Sequence, residues 1–545
     1  MEAFLSIMSQ LADQKSSISI TKTLSTLFVF MASIVAVMLR MKIRKHSAAA
    51  AVPEPVPLPP GPKPWPLLGC LPAIAMWSSH TTQPHKWVHA IMKQFDTEIA
   101  CIRLGSTNII PVTSPELALE FLKTHDAAFS SRPVPMINNI LTCGFRGTIF
   151  TPSEDQWKKM KKILVSKILN SSTLRTMSAH IIHEADTLVR YIFTLTATHN
   201  NIVNVRSITQ HFCGNIIRQM IFNTRYYGGG REDGGPTFEE EEHTQALFTI
   251  LNHVYAFSIS DYMPCLRTLD LDGHQKIVKN ALKVIRKYDE HIINARVKRW
   301  KDGNNKEVVD ILDILISLQD ENGKSLLSIE EIKTQIMELQ IATIDNPSNA
   351  VEWAMAELMN QPKILKKAVE ELDREIGRER LVEESDIPKL KYLTSCARES
   401  FRLHPFSPFN VPHVSNSDIV VAGYLIPKGS EVLLSRSGLG RNPRIWEDPM
   451  RFDPERHLKD KTVELGLSEP YLRFITFTRG RRGCIGSSLG TTITMMLFAR
   501  MLQAFSWSLP QGMTKIDFSE SNELSLPKPL YLSVEPRLSR TMYLA

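Results

Sequence analysis

The chain has 545 residues, 43% hydrophobic and 22% charged, with a formal net charge of +7. That length can bury a large core, and the composition excludes a disordered or low-complexity protein. The mild, dispersed positive charge gives no nucleic-acid footprint, though it suits docking to an acidic protein or membrane surface. Cys70, Cys101, Cys143, Cys213, Cys265, Cys396 and Cys484 are scattered with no C-x-x-C pair. A disulfide framework is therefore not expected, and a reducing cytosolic setting is.

Residues 23–39 read TLSTLFVFMASIVAVML, 17 uncharged and largely apolar positions. This is the short end of what spans a bilayer as a helix. Arg40, Lys42, Arg44 and Lys45 follow at once, so the positive-inside rule puts the downstream chain in the cytosol. A cleaved signal peptide is the rival reading, but no small-residue cleavage pattern directly follows the run. Residues 1–45 are thus expected to be a single-pass anchor. The next stretch, PEPVPLPPGPKPWP from Pro53 to Pro66, excludes helix and favours polyproline II. It reads as a semi-rigid hinge over 46–70. No linker follows, so 71–545 is expected to be one catalytic domain.

From about residue 85 to 400 the pattern is mostly helical. Ser114-Pro115 opens one helix, Glu154 to Leu169 is basic and amphipathic, and Asp310–Gln319 and Ile329–Asn360 carry helical periods. Short strands are predicted at Glu98–Leu104, Asn108–Val112, Ile419–Val421 and Glu431–Leu434. The glycine-rich run 226–236 with Glu239 to Glu242 reads as an acidic surface loop. The fold class is mainly α with a minor β part.

Chemistry concentrates at Phe477-Thr-Arg-Gly480-Arg-Arg482-Gly-Cys484-Ile-Gly486. Cationic neighbours and backbone N–H groups favour the thiolate form of such a cysteine. A thiolate axial ligand on haem iron promotes O–O cleavage. The complete pattern F-x-x-G-x-R-x-C-x-G resembles the haem-thiolate loop of the cytochrome P450 family. The resemblance extends from an N-terminal transmembrane helix and proline hinge to the C-terminus, and implies the cytochrome P450 fold with heme b ligated by Cys484.

Three further landmarks carry it. Glu399 and Arg402 in Glu-Ser-Phe-Arg are spaced to pair on one helical face, and the family pattern implies a buried network with Arg456. Trp157, Lys161, Arg482 and His413 occupy the positions the family uses around the haem propionates. Lys161 departs from the usual arginine, replacing a bidentate fork by a point charge. The segment Ile341-Ala-Thr-Ile-Asp345-Asn346-Pro347-Ser-Asn349 falls where the family activates oxygen. There Asp345 keeps the acid, whereas Asn346 replaces the usual threonine and cannot supply a proton as a hydroxyl does. Pro347 is expected to kink the helix.

The run DNPSNA, the run FNVPHV at 409–414 and PERH ending at His457 resemble one plant subfamily. Those enzymes N-hydroxylate an α-amino acid twice and form an aldoxime for glucosinolate or cyanogenic glucoside synthesis. The resemblance implies electrons from NADPH through a separate NADPH–cytochrome P450 reductase, since no dinucleotide or flavin fingerprint occurs in this chain. It also implies dioxygen as co-substrate and an endoplasmic reticulum membrane location. Substrate contacts are expected from 134–150, 343–349 and 406–413, with Asn346, Asn349 and Asn410 as candidate donors to the substrate carboxylate. The rival readings are a carbon-hydroxylating plant P450 and a haem-binding protein without turnover.

Overall fold

The computed structural model describes residues 56–78, 83–198, 201–254, 256–303, 307–459, 465–518 and 526–544. Two units partition the chain: Met1–Pro57 with Trp65–Leu67, and Leu58–Pro64 with Leu68–Ala545. The second carries the elements discussed below. The expected membrane anchor lies outside the described residues. Among the described residues, no helix is long and apolar enough to cross a membrane.

The helices that position the site are α1 (Asp155–Ile163), α2 (Ser171–Thr198), α3 (Val205–Phe222), α4 (Phe238–Val254), α5 (His274–Lys301), α6 (Ile329–Asn360), α7 (Lys391–Leu403) and α8 (Ser487–Ala504). The axis is α6. Its N-terminus is fixed by a capping box, with Ser328 and Glu331 satisfying each other's backbone N–H groups. Helices α3, α4, α7 and α8 pack around it. Two buried acids on α6 are ion-paired: Glu352 takes Arg206 Nε at 3.0 Å, and Glu357 takes His404 Nε2 at 2.6 Å. Such pairs are geometric constraints more than sources of net stability.

The predicted helix at Glu154 begins at Asp155 and widens into a π-turn over Leu164–Ile168. Glu239, Glu240 and Glu241 are not in a loop but form the first turn of α4. Acidic side chains there offset the positive end of the helix dipole.

The β part is small. Strands β1 (Ile102–Leu104), β2 (Thr107–Val112), β3 (Ile202–Asn204), β4 (His413–Val414), β5 (Ile419–Val421), β6 (Tyr424–Ile426), β7 (Glu431–Leu434), β8 (Phe505–Ser508) and β9 (Tyr531–Pro536) make three sheets. Their orders are β1-β2-β7-β4, β3-β9-β8 and β5-β6. The parallel β2–β7 register pairs Ile110 with Val432 and Val112 with Leu434, burying a Val/Ile/Leu face. The antiparallel β4–β7 pair then fixes the backbone after Asn410 beside that sheet.

Candidate active site

A cavity of about 270 Å³ lies between α6, the segment 148–150 and the loop that precedes α8. Cys484 is on its wall. The Cys484 N–H donates to Phe477 O at 2.9 Å, closing the loop. Gly480 turns the loop with φ +81°, and a Cβ there would lie 2.5 Å from Leu122 O; only glycine fits that combination. The chain then enters α8 through Gly486. Burial raises the thiol pKa, opposed by the Gly486 N–H and the charge of Arg436. A sulfur just ahead of a helix N-terminus and beside a guanidinium is set up to bind as thiolate once a cation faces it.

On α6, Ala342 is exposed and Asn346 half-exposed, although residues 334–359 are otherwise buried. The two are one helical turn apart, and both line the cavity. They form a bare strip on an otherwise packed helix. Asp345 next to them is buried, and burial pushes its carboxyl up to about 7 against the Asn349 hydrogen bond and Arg436. A carboxyl in that range can hold or release a proton near neutral pH. Asn349 Nδ2 donates to Asp345 Oδ1 at 2.6 Å and to Asp345 O at 3.1 Å. Its amide N–H is thus committed to the acid, and Asn349 is absent from the cavity wall, which corrects its candidacy as a substrate donor. The helix assignment runs unbroken through Pro347. Pro347 has no N–H for Thr343 O, while Ser348 Oγ donates to Ile344 O at 2.6 Å.

Arg482, Trp157, Lys161 and Arg132 line the cavity as a cationic edge. Arg482 donates to Ser130 O and Thr151 O at 2.6 Å each and to Thr148 O at 3.2 Å. Its guanidinium lies 4.0 Å from the Trp157 ring centroid, a cation–π contact. Burial, then repulsion from Arg132, pulls its pKa down to about 8, with Glu338 opposing. Lys161 Nζ sits 5.2 Å from the same ring and donates to Arg481 O. Two guanidiniums and an ammonium line this part of the cavity with one buried acid, Glu338, whose carboxyl burial raises to about 7, so the edge is complementary to an anion. The arrangement fits haem: a cysteine on one wall, a bare helical strip, and cations for two propionates.

His413 sits just behind that edge and is not on the cavity wall. It is fully buried, with Nδ1 on Phe129 O at 2.9 Å and Nε2 3.5 Å from Asn410 Nδ2. Burial, with Arg132 and Arg482 nearby, holds its pKa well below the usual range. Strand β4 and the Phe129 O contact hold its ring in place in the neutral form. The cation that sequence reasoning missed is Arg132, which donates to Val411 O and Pro412 O at 2.9 and 2.7 Å. Its signal in the sequence is an arginine directly before Pro133. From 406–413, Phe406, Asn410 and Val411 line the cavity; from 134–150, Thr148, Ile149 and Phe150 do. Val134 is exposed. Arg479 hydrogen-bonds Pro470 O and is not on the wall.

Glu399 is fully buried and pairs with Arg402, as the Glu-x-x-Arg spacing implies, and with Arg456, as the family pattern implies. Arg402 also donates to Pro449 O at 2.7 Å, tying α7 to the segment that leads to the thiolate loop.

Comparison with known proteins bears on this geometry. The cytochrome P450 family profile matches residues 59–534. A tryptophan N-monooxygenase of Prunus mume is 51% identical over 88% of this chain and 90% of its own. An isoleucine N-monooxygenase of Lotus japonicus is 52% identical over 88% and 90%. A tyrosine N-monooxygenase of Sorghum bicolor is 48% identical over 88% and 86%.

Proposed function

The chain belongs to the cytochrome P450 family, and from that premise we propose that it is an amino-acid N-monooxygenase that converts an L-amino acid to its aldoxime. The observation that carries this reading is the cavity face of α6, where Asp345 is followed by Asn346 and Pro347 instead of a hydroxyl residue. Near-full-length relatives at about half identity are named for N-oxidation of five different amino acids, tryptophan, isoleucine, tyrosine, valine and phenylalanine.

Haem b bound through Cys484 would supply oxygen activation by the thiolate's electron push. The protein's part is placement and proton control. Arg482, Arg132 and Lys161 would hold the propionates, the first two from fixed positions. Asp345, poised near neutral pH, would hold or pass a proton at its carboxyl. Asn346 would orient the substrate nitrogen or a bound water by hydrogen bonding, since its amide is no proton source. Phe406, Leu251, Ile149 and Phe150 give the cavity apolar walls that would limit water around the reacting nitrogen.

Electrons would come from NADPH through a separate reductase. Residues 1–45 would anchor the chain in the endoplasmic reticulum membrane, with 46–70 as hinge and 71–545 in the cytosol; the apolar run 23–39 followed by four basic residues supports this. Turnover with reductase, NADPH and each protein amino acid, plus chain-elongated methionine homologues, tests the proposal. Aldoxime from at least one amino acid is expected. Hydroxylation of a terpenoid or phenylpropanoid, with no amino acid consumed, would favour the carbon-hydroxylating reading.

A further inference from the structure

The Thr148–Ile149 pair is held on both edges. Its two N–H groups donate to one oxygen, Glu338 Oε2 on α6, at 2.6 Å from Thr148 and 3.0 Å from Ile149. Its two carbonyls accept from the cationic edge: Thr148 O from Arg482 Nη1 at 3.2 Å, and Ile149 O from Arg132 Nε at 3.4 Å. Thr148 Oγ1 adds a 2.7 Å bond to Gln335 Oε1, one turn before Glu338. Glu338 is 1% exposed, and its other oxygen makes no hydrogen bond. Its hydrogen bonds to the 148–149 segment therefore all run through Oε2. The approach requires Gly147, where a Cβ would fall 2.4 Å from the Glu338 carboxylate.

A guanidinium is a planar fork of five N–H groups. Three of the Arg482 donors are committed to the carbonyls of Ser130, Thr148 and Thr151, so the direction of the others is set by where those carbonyls stand. Two of the three carbonyls belong to the segment that begins at Thr148. We infer that Glu338 is a positioning residue for the haem edge: by fixing the Thr148–Ile149 peptides from α6, it aims Arg482, and with it Arg132, at the cofactor's carboxylates. Glu338 also lines the cavity, but the role inferred for it runs through the peptide. The same dipeptide lines the cavity, so the long helix, the substrate wall and the haem edge share one anchoring point. This role is independent of which amino acid is oxidised.

The test is haem release from the holoprotein, followed by transfer to an acceptor globin. Glu338→Ala leaves two buried N–H groups unpartnered and should speed release about tenfold or more. Glu338→Gln keeps a carbonyl acceptor and should stay within about threefold of the unmodified protein. Gly147→Ala pushes a methyl against the same carboxylate from the loop side and should behave like Glu338→Ala. Because the effect runs through Arg482, adding Glu338→Ala or Gly147→Ala to Arg482→Lys should cost less than about threefold more. A full tenfold increment in the Arg482→Lys background would make Glu338 a general structural residue and overturn the inference. Unchanged release in either single variant would do the same. If Glu338→Ala does not fold, the Gly147→Ala cycle decides alone.

Discussion

His457 Nε2 lies 2.9 Å from Glu399 Oε2, so a histidine is part of the buried acid's network along with two arginines. A carboxylate only accepts, so Nε2 carries the proton. Nδ1 is then the acceptor facing Arg398 Nε at 3.5 Å. Burial keeps this imidazole pKa low, against the pull of Glu399. Burial also raises the Glu399 carboxyl, but Arg402, then His457, more than offset it and bring it down to about 2.

Replacing His457 by Phe keeps ring packing against Trp446 and Phe474 and removes the hydrogen bond. The expected loss is about 1.5–3 kcal/mol of unfolding free energy, the usual range for a bond to a charged group. Urea unfolding of the holoprotein measures it. The pH dependence has a definite sign. A carboxyl depressed in the folded state stabilises above its unfolded pKa of 4.5 and loses that contribution as pH falls toward about 2. A histidine buried neutral pushes the same way, since it must charge on acidification. Glu399→Gln should therefore be less stable at neutral pH and show a shallower loss between pH 4.5 and 2.

Lys161 places one ammonium over Trp157 at the cationic edge. Lys161→Arg should retain haem as well or better, because a fork can meet a propionate twice. Lys161→Ala should release it several-fold faster, a modest effect because the side chain is partly exposed. Equal release rates from all three proteins would remove Lys161 from the edge.

Cys484→Ser should abolish the carbon monoxide difference band characteristic of thiolate ligation, and all turnover with it. A serine variant that oxidised substrate normally would show that the ligand is another residue.

Asn346→Thr restores the residue usual in the wider family. Haem and dioxygen binding should be unchanged, while aldoxime yield falls and peroxide released per NADPH rises. Loss of one positioned donor in a dry site is worth on the order of 10²-fold in rate. Unmodified rate and coupling would make the Asn-Pro signature incidental.

How far the sequence reveals this site depends on the range of the interactions. The bounds of α6 were readable because Ser328, Glu331 and a helical period are local signals, and β5 and β7 because branched residues sit between turns. The thiolate loop and the Glu399–Arg402 pair were readable from short spacing. Arg132 and Glu338 were not: partners that define their roles lie far along the chain, as with Glu338 and Thr148 or Arg132 and Val411. His413 occupied a suggestive position, but its orientation is set by Phe129 O, which no local pattern announces. Strand β9 escaped notice because only Leu532 and Val534 carry its alternation.

The central claim is that the substrate's nitrogen, not its carbon, is oxidised. It is tested most directly by turnover of a ¹⁵N-labelled accepted L-amino acid with reductase, following product and NADPH together. Two N-hydroxylations predict an aldoxime that retains the label and has lost the carboxyl carbon, with two NADPH consumed per aldoxime in the coupled limit. A product with an intact amino group and a new carbon-bound hydroxyl, formed at one NADPH each, would contradict the account.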